Sequence, residues 1–505
     1  MANGDLFGRF FIVKIEELPN DIDALKKLLI EKNQQILELK DIITLLQRKK
    51  FAPTSEASKD QLQLFNELED IVDCENKNED ESKSTEVKPH TRTRGKRAPL
   101  PENLRRVDEV YDIDEDKKDG MKCIGEEISE QLIIEPATIY IRRTIRKKYA
   151  PIDINSDQKL ITASAPEKLL PKTMASSSLI AYIITAKYVD ALPLYRQEKI
   201  FERVHASLTR QTMARWLIQV SEKLMPLYNL LQDKCLEKNY LQMDETRVQV
   251  LNEEGKKSTS KSYMWLRLAH GDNPIILYDY APTRAGSVPI ELLEGFSGAL
   301  QIDGYDGYAA ACEKFNLERL GCMDHCRRKF FDASKTSNGK NIGTKGVKFF
   351  KQLYKIEEQI EKLSADERHR IRQEKSVPLL AEIKAWINEV RDKITPGSVA
   401  GKAINYAYNE WEYLEKYTRD PKYNISNILI ENAVRPFAIG RKNWLFCAST
   451  DGAKASAMYY SIIETAKKNG FEPFDYLSKM LDKLPSAKTV EDFEKLLPLR
   501  DSFKY

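Results

Sequence analysis

Cysteine is scarce in this sequence and long apolar runs are missing, and each shortage excludes a class of protein. The seven cysteines among 505 residues are odd in number and scattered along the chain, which suits a reducing cytoplasm better than a disulfide scaffold. No apolar stretch approaches the roughly 20 residues that cross a bilayer. The first residues, MANGDLFGRF, also lack the pattern of a secretory signal. We therefore expect a cytoplasmic protein that has no membrane partner.

A strong net charge is missing as well. The chain carries 80 basic and 77 acidic side chains, so charge alone does not predict a nucleic-acid binder, and any basic surface must be local. The length exceeds what one small core can organise, so several domains are expected. The order of predicted helices and strands along the chain indicates a multidomain α+β protein.

Residues 1–50 carry apolar side chains at heptad spacing. These positions run from Ile22 to Leu46, and Lys32 is the one polar interruption. The pattern predicts a coiled-coil helix. Two interpretations stay open: the helix joins copies of the chain into a homo-oligomer, or it packs on its own chain.

Residues 51–165 show weaker patterns. An acidic stretch (67–81) is followed by a basic run (88–106) that proline and glycine interrupt, so 51–110 is predicted to be a linker. The basic part either contacts DNA phosphates or is simply solvated. Partial alternation of apolar and charged residues predicts a small β segment over 111–165.

Residues 166–236 have a helical pattern. Two helices are predicted, PLYRQEKIFERV and TRQTMARWLIQVSEKL, with HASL as the turn and Thr209 as the N-cap of the second helix. This arrangement is typical of a helix-turn-helix, whose second helix enters the DNA major groove. Arg210, Gln211 and Arg215 would then face DNA. An ordinary helical hairpin gives the same pattern, so both interpretations stay open.

Residues 237–335 alternate between strand and helix patterns. Strands are predicted for LQMDETRVQVL, SYMWLRLAHG, PIILYDY, GALQIDGY and ERLGCMDH, and helices for VPIELLEGF and AAACEKF. Three strands, a helix, a strand, a helix and a last strand form the connectivity expected of a ribonuclease-H-like mixed α/β catalytic core. A charged helical insertion is predicted over 336–420, the second part of the core over 421–450, and a helical region over 451–505.

Two aspartates occupy unusual places in these strands. Asp244 lies in mid-strand, where aspartate is disfavoured, and Asp303 ends a strand just before glycine, which allows a tight turn. Carboxylates on adjacent strands can share hard cations such as Mg²⁺, which prefers oxygen ligands. A single Asp is more often a surface or turn residue, so these positions alone are a weak indication.

Distinctive sequence blocks follow one another along most of the chain. They are FAPTSE (51–56), PLYRQEKIF (193–201), LTRQTMARW (208–216), MDET (243–246), LLEGFSGALQIDGYDGY (292–308), CMDHCRRKFFD (322–332), IENAVRPFAIGRKNWLF (430–446) and YSIIETAKKNG (460–470). In content and order these blocks resemble the insertion-sequence-66 family of bacterial DDE transposases. The block at 430–446 is the most specific.

The resemblance implies an enzyme that cuts the ends of its own element and joins the freed 3′-hydroxyl to target DNA. Asp244, Asp303 and Glu431 match the family's catalytic carboxylates, which would hold two Mg²⁺ ions, with Mn²⁺ able to substitute. DNA is then the partner, both as terminal inverted repeats and as target. Accessory proteins encoded by the same element are also expected, and the protein would lie at the bacterial nucleoid when bound to DNA.

Further residues near the third carboxylate acquire expected roles from the resemblance. Cys322 and His325 match a Cys-x-x-His pair that either supports the site or packs beside it. A basic and aromatic group after Glu431 would bind DNA phosphates and stack on an unpaired base, or would be surface charge and core. This group consists of Arg435, Arg441, Lys442 and Trp444.

Zinc is not expected. Relatives carry a cysteine-rich zinc-binding segment where this chain has YDIDEDKKDGMKCIGEE, and Cys123 alone cannot hold the ion. A zinc site built from Cys322, His325 and Cys326 lacks a fourth ligand nearby in the sequence.

The chain also departs from the family around Glu431. Relatives have Asp-Asn-Asn before the glutamate, where this chain has Ser-Asn-Ile (426–428), and Asn432 follows in place of arginine. An alternative is therefore a catalytically impaired DNA-binding protein descended from a transposase. A third possibility is a nuclease that hydrolyses DNA without joining it.

Overall fold

The computed structural model describes residues 21–51, 139–149, 161–162, 166–336 and 339–503. Two compact units divide the chain, one formed by residues 1–52 with 166–505 and the other by 53–165. Most of the predicted linker and β segment lies outside the described residues. Within the second unit, strands β1 (Lys148–Tyr149) and β2 (Ile161–Thr162) form an antiparallel pair.

Helix α1 spans Ile22–Phe51, which confirms the helix predicted from the heptad pattern. The Gln34 amide donates a hydrogen bond to Thr395 Oγ1 at 2.8 Å. Heptad side chains such as Ile22 and Leu29 are exposed to solvent. The coiled coil and the homo-oligomer stay predictions.

The helices that precede the sheet agree with the sequence prediction. They are α2 (Ser177–Tyr188), α3 (Leu194–Arg203), α4 (Arg210–Lys223) and α5 (Met225–Leu236). Helix α4 begins where expected, because the Thr209 hydroxyl accepts a hydrogen bond from the Thr212 N–H at 3.3 Å. Apolar residues on the inner face of α4, such as Met213 and Leu217, are buried in the main core.

A mixed sheet forms the centre of the larger unit. Its elements follow in the order β3 (Tyr240–Asn252), β4 (Lys261–Ala269), β5 (Ile275–Ala281), α6 (Ser287–Leu292), β6 (Ala299–Gln301), α7 (Ala309–Lys314) and β7 (Glu318–Leu320). The strands lie in the spatial order β5-β4-β3-β6-β7. The first three are antiparallel, whereas β6 is parallel to both β3 and β7.

The last predicted strand, ERLGCMDH, is wrong in its second half. Strand β7 ends at Leu320, and a helix begins at Met323. The Gly321 N–H donates to the carbonyl of Tyr413 rather than to a neighbouring strand. Asp324 and the residues after it therefore lie on a helix.

The helices after β7 have a hydrophobic core of their own. They are α8 (Met323–Ser334), α9 (Lys340–Ile360), α10 (Ala365–Ile371), α11 (Val377–Arg391) and α12 (Val399–Leu414). Phe330, Phe350 and Trp386 pack together in this core, with ring centroids 5.4 to 5.8 Å apart for the pairs that Phe330 forms. The helical pattern predicted for this region is therefore present.

The chain then returns to the sheet. Its last elements are α13 (Ile428–Trp444), β8 (Cys447–Ser449), α14 (Thr450–Lys468), α15 (Pro473–Lys483) and α16 (Val490–Glu494). Strand β8 pairs in parallel with β3, and the hydroxyls of Ser461 and Thr465 on α14 accept hydrogen bonds from backbone N–H groups of β5. The described fold is thus mixed α/β with a helical majority, consistent with the α+β prediction. None of its helices combines the length and apolarity needed to span a bilayer.

Candidate active site

The sheet register brings Asp244 and Asp303 side by side. Strands β3 and β6 run parallel and pair Gln242 with Gln301. Two residues further along, Asp244 lies within β3 and Asp303 lies just beyond the end of β6, and paired strands are spaced about 4.8 Å apart. The Asp244 carboxylate accepts the Glu245 N–H at 2.8 Å, and that of Asp303 accepts the Tyr305 N–H at 3.0 Å.

Buried glutamines hold the segment that leads to Glu431. The Gln242 amide donates to the carbonyl of Ser426 at 3.1 Å, and the Gln301 amide donates to that of Asn424 at 2.7 Å. Both glutamines have no solvent-exposed surface, so these bonds form in a low-dielectric interior where they resist exchange with water. Helix α13 starts directly after this segment, and Glu431 lies in its first turn.

The pKa of Asp244 reports on the acids around it. Burial raises the pKa of Asp244 to about 8, and the neighbouring charges of Glu245, Glu431 and Asp303 add to this rise. Like charges perturb one another in this way only at close range. The charges of Glu431 and Asp303 thus act on Asp244, and the site formed by the three acids stays a prediction.

Glu245 is a buried acid that the sequence analysis missed. Its side chain is only 4% exposed. It accepts hydrogen bonds from the Arg284 Nε at 2.7 Å and from the Tyr308 hydroxyl at 2.6 Å. The Arg284 guanidinium also lies over the Tyr305 ring, 3.7 Å from its centroid. Two signals were available in the sequence: the second acid of MDET and the paired tyrosines of IDGYDGY.

The negative charges of the two adjacent acids of MDET, Asp244 and Glu245, are therefore compensated differently. Glu245 has a cationic partner, whereas within the described residues neither Asp244 nor Asp303 forms an ion pair with a lysine or arginine. Both carboxylates are half-buried, and removing a carboxylate from water without a counter-charge is unfavourable. The pair is therefore suited to binding a cation from solution.

The Cys-x-x-His pair lies beside Glu431. Cys322 is the residue before helix α8, and His325 lies in the first turn of that helix. Their ligand atoms and a carboxylate oxygen of Glu431 all lie within 4.8 Å of one another. Arg328 approaches the other carboxylate oxygen at 3.6 Å. Cys326, in contrast, is buried in the core of the helices after β7.

The basic and aromatic group on α13 is divided between solvent and structural contacts. Lys442 is exposed and Arg435 is half-buried. Arg441 donates hydrogen bonds to the Thr246 hydroxyl and to the carbonyl of Arg247, which joins α13 to β3. The Trp444 ring is half-buried and packs edge-on against the ring of Phe437. The contacts of these four residues with DNA stay predictions.

The residues predicted to face DNA on α4 are accessible. Arg210, Gln211 and Arg215 are all exposed. Gln211 and Arg215 lie away from the buried residues of the helix, and Arg210 is its first residue. Their contact with DNA stays a prediction, as does the helix-turn-helix.

Comparison with known proteins identifies the class. Residues 172–455, more than half of the chain, match the model of the IS66 transposase family, and residues 461–499 match the IS66 C-terminal element. The chain belongs to the IS66 transposase family. The resemblance seen in the sequence is thereby confirmed.

A third match concerns DNA binding. Residues 38–108 match the family model described as "Transposase C of IS166 homeodomain". This supports a homeodomain-like DNA-binding region and DNA as a partner. The match falls mainly on residues that the sequence analysis assigned to a linker, and most of them lie outside the described residues.

Full-length relatives occur in Sinorhizobium fredii. The uncharacterized protein y4qI is 29% identical over 96% of this chain and 98% of its own length. The uncharacterized protein y4jD is also 29% identical, over 96% of this chain and 97% of its own length. The uncharacterized protein y4hP is 28% identical over 87% of this chain and 83% of its own length.

Proposed function

We propose that this transposase is a DDE enzyme that cuts the ends of its element and joins the freed 3′-hydroxyl to target DNA. Asp244, Asp303 and Glu431 are its catalytic carboxylates. The observation that carries the proposal is the placement of these acids: Asp244 lies on β3, Asp303 follows the neighbouring parallel strand β6, and the charges of Glu431 and Asp303 add to the rise that burial causes in the pKa of Asp244. Membership of the IS66 transposase family supports the same reaction class.

The sheet supports a ribonuclease-H-like core as the framework of this site. Three antiparallel strands are followed by two strands that run parallel to the first, each separated from the preceding strand by a helix. The first acid lies on the central strand, the second follows the next parallel strand, and the third comes after the long helical insertion. One fold can host many functions, so the proposed function rests on the three carboxylates and not on the fold.

The donor set fits Mg²⁺, with Mn²⁺ as a substitute. Carboxylate oxygens are the ligands that Mg²⁺ prefers, and bound divalent cations would activate the attacking oxygen and stabilise the leaving oxygen in phosphoryl transfer. Asp244 must release its proton to bind a cation, because its pKa lies near 8 without one. Arg284 neutralises Glu245, so that neighbouring acid does not compete for the cation.

A cleavage assay tests the carboxylates. We expect Asp244→Asn, Asp303→Asn and Glu431→Gln each to abolish Mg²⁺-dependent cutting of a duplex that carries the element's terminal repeat. Binding to that duplex, measured by fluorescence anisotropy, should persist. Glu313→Gln is the matched control, because Glu313 is an exposed acid on α7 of the same unit. Full cutting by Asp244→Asn would remove Asp244 from the mechanism.

The changed residues before Glu431 favour one alternative, a DNA-binding protein that has lost catalysis. Of the two changed positions, Ser426 is buried and its backbone carbonyl accepts the hydrogen bond from Gln242, whereas Ile428 is the first residue of α13. This hydrogen bond uses a backbone group, so it does not depend on which side chain stands at position 426. A strand-transfer assay separates the possibilities: a joined product indicates a transposase, hydrolysis alone indicates a nuclease, and binding alone indicates the impaired protein.

A further inference from the structure

Soft metal ligands lie on one side of Glu431. The Cys322 sulfur, a ring nitrogen of His325 and a carboxylate oxygen of Glu431 lie within 4.8 Å of one another. We propose that these three residues form a Zn²⁺ site that shares Glu431 with the Mg²⁺ site. The binding site itself is independent of the proposed function, whereas its consequence, inhibition of DNA cutting by zinc, rests on that function.

The spacing of the donors suits zinc. Tetrahedral zinc with bonds of about 2.0 to 2.3 Å separates its ligand atoms by roughly 3.3 to 3.8 Å. His325 Nδ1 already lies 3.7 Å from Glu431 Oε1. Sulfur, nitrogen and a single carboxylate are ligands of zinc, whereas Mg²⁺ takes oxygen ligands. Three protein ligands leave the fourth position of the ion for water.

The facing atoms lack other partners. His325 Nδ1 and Glu431 Oε1 are both buried atoms, and among the described residues neither has a hydrogen-bond partner. Their separation is too long for a hydrogen bond between them. A cation placed between them would satisfy both atoms. The side chains of His325 and Glu431 remain 26% and 19% exposed, so an ion can reach them from solvent.

Backbone contacts hold the ligands in place. The Asn427 N–H points at the Cys322 sulfur at 3.5 Å, which joins the start of α8 to the segment that leads into Glu431. The Met323 N–H donates to the carbonyl of Ile425 in the same segment. All three ligands are therefore fixed to one another before any ion arrives, which lowers the cost of binding.

The fold also explains why the sequence did not indicate this site. Cys326, the neighbouring soft ligand in the sequence, is directed into the core of the helices after β7. The ligand that completes the trio, Glu431, comes from a helix far along the chain. Arg328 opposes the binding of a cation, because it lies 3.6 Å from the second oxygen of Glu431, but its side chain is 51% exposed and can move into solvent.

Zinc in this site would inhibit DNA cutting. A carboxylate coordinated beside Cys322 and His325 is withdrawn from Asp244 and Asp303, so the Mg²⁺ site loses its third ligand. The protein would then be inhibited by zinc in the presence of Mg²⁺ and reactivated by a chelator.

Cobalt substitution tests the binding site without DNA. Full-length protein titrated with Co²⁺ should develop the near-ultraviolet band of a cobalt–thiolate bond, and Zn²⁺ should remove it by displacement. We expect Cys322→Ala to lose this band and His325→Ala to weaken Zn²⁺ binding by at least about tenfold in calorimetry. Cys326→Ala, four residues away on α8, is the matched control and should behave as the natural protein. Circular dichroism verifies that each variant is folded.

Two results would overturn the proposal: no cobalt–thiolate band in the natural protein, or an equal band in Cys322→Ala. Asp244→Asn separates the two hypotheses, because it should abolish DNA cutting and keep the cobalt band. In the cutting assay each protein is compared with its own zinc-free rate. Zinc should inhibit the natural protein and spare Cys322→Ala, and equal inhibition of both would disprove the regulatory part.

Discussion

Replacing Asp244 with asparagine is expected to stabilise the metal-free protein while abolishing its response to Mg²⁺. The side chain is half-buried near other acids, and its pKa is raised from 3.8 to about 8. Asparagine has nearly the same shape, carries no charge, and keeps an oxygen that can accept the Glu245 N–H now held at 2.8 Å. The substitution therefore removes an unfavourable charge and leaves the local hydrogen bond intact.

The size of this effect follows from the pKa. A rise from 3.8 to about 8 sets an upper limit of roughly 6 kcal/mol on the cost of ionising Asp244 in the folded state. Relaxation of the surroundings and proton sharing among the coupled acids lower this figure to about 2 kcal/mol. In a folded unit of this size such a change raises the unfolding temperature by about 3 °C.

The pH dependence has a definite sign. The folded-state pKa lies above the unfolded value, so below a pH of about 4 the carboxyl is protonated in both states and costs nothing. Between about pH 4 and 8 the unfolded state binds fewer protons, and the natural protein loses stability as the pH rises. The stability advantage of Asp244→Asn should therefore widen from about pH 5 to about pH 9.

Thermal unfolding followed by circular dichroism measures both effects. Chelated samples give the metal-free midpoints, and a Mg²⁺ or Mn²⁺ titration gives the stabilisation by bound cation, about 2.7 kcal/mol at 100 times Kd. We expect this stabilisation in the natural protein and in the control Glu313→Gln, and not in Asp244→Asn. A variant that is less stable than the natural protein at every pH, or that keeps the Mg²⁺ response, would refute the reasoning.

Two further predictions concern the framework of the site. Arg284→Met leaves the buried Glu245 side chain without its counter-charge. Because Arg284 is 40% exposed, we expect the free energy of unfolding measured in urea to fall by only about 2 kcal/mol, and we expect weaker Mg²⁺ binding. A variant with unchanged stability and unchanged Mg²⁺ binding would contradict the role of this ion pair. Gly298→Ala places a Cβ 2.4 Å from the Asn239 carbonyl oxygen at a φ of +143°. We therefore expect it to lower the free energy of unfolding by more than about 3 kcal/mol. The control is Gly295→Ala, where φ is +85° and the added Cβ meets open space. It should lower the free energy of unfolding by about 1 kcal/mol. Equal losses in the two variants would exclude the steric explanation.

The elements that local chemistry determines could be predicted from the sequence. Period-two alternation predicted β3 to β5, and the Thr209 side chain predicted the start of α4. Asp244 stood out because aspartate is disfavoured in mid-strand. Each of these signals lies within a few residues of the feature it predicts.

Features that depend on distant partners could not be predicted in the same way. The strand ending at Leu320 was drawn too long, because the Gly321 N–H bonds to Tyr413, far along the chain. The position of Glu431 next to the aspartates depends on Gln242 and Gln301, whose amides bond to backbone carbonyls in another part of the sequence. Family resemblance supplied Glu431 where physical reasoning on the sequence did not.

The contrast between the two acids of MDET indicates what the site requires. Side chains alternate along a strand, so Asp244 and Glu245 point to opposite faces of the sheet. On one face Arg284 and Tyr308 neutralise and hold Glu245. On the other, Asp244 is half-buried with its pKa near 8, and the charges of Glu431 and Asp303 contribute to that rise. Among the described residues the fold provides an arginine for Glu245 and none for Asp244, and under the proposed mechanism this keeps Asp244 available for a divalent cation.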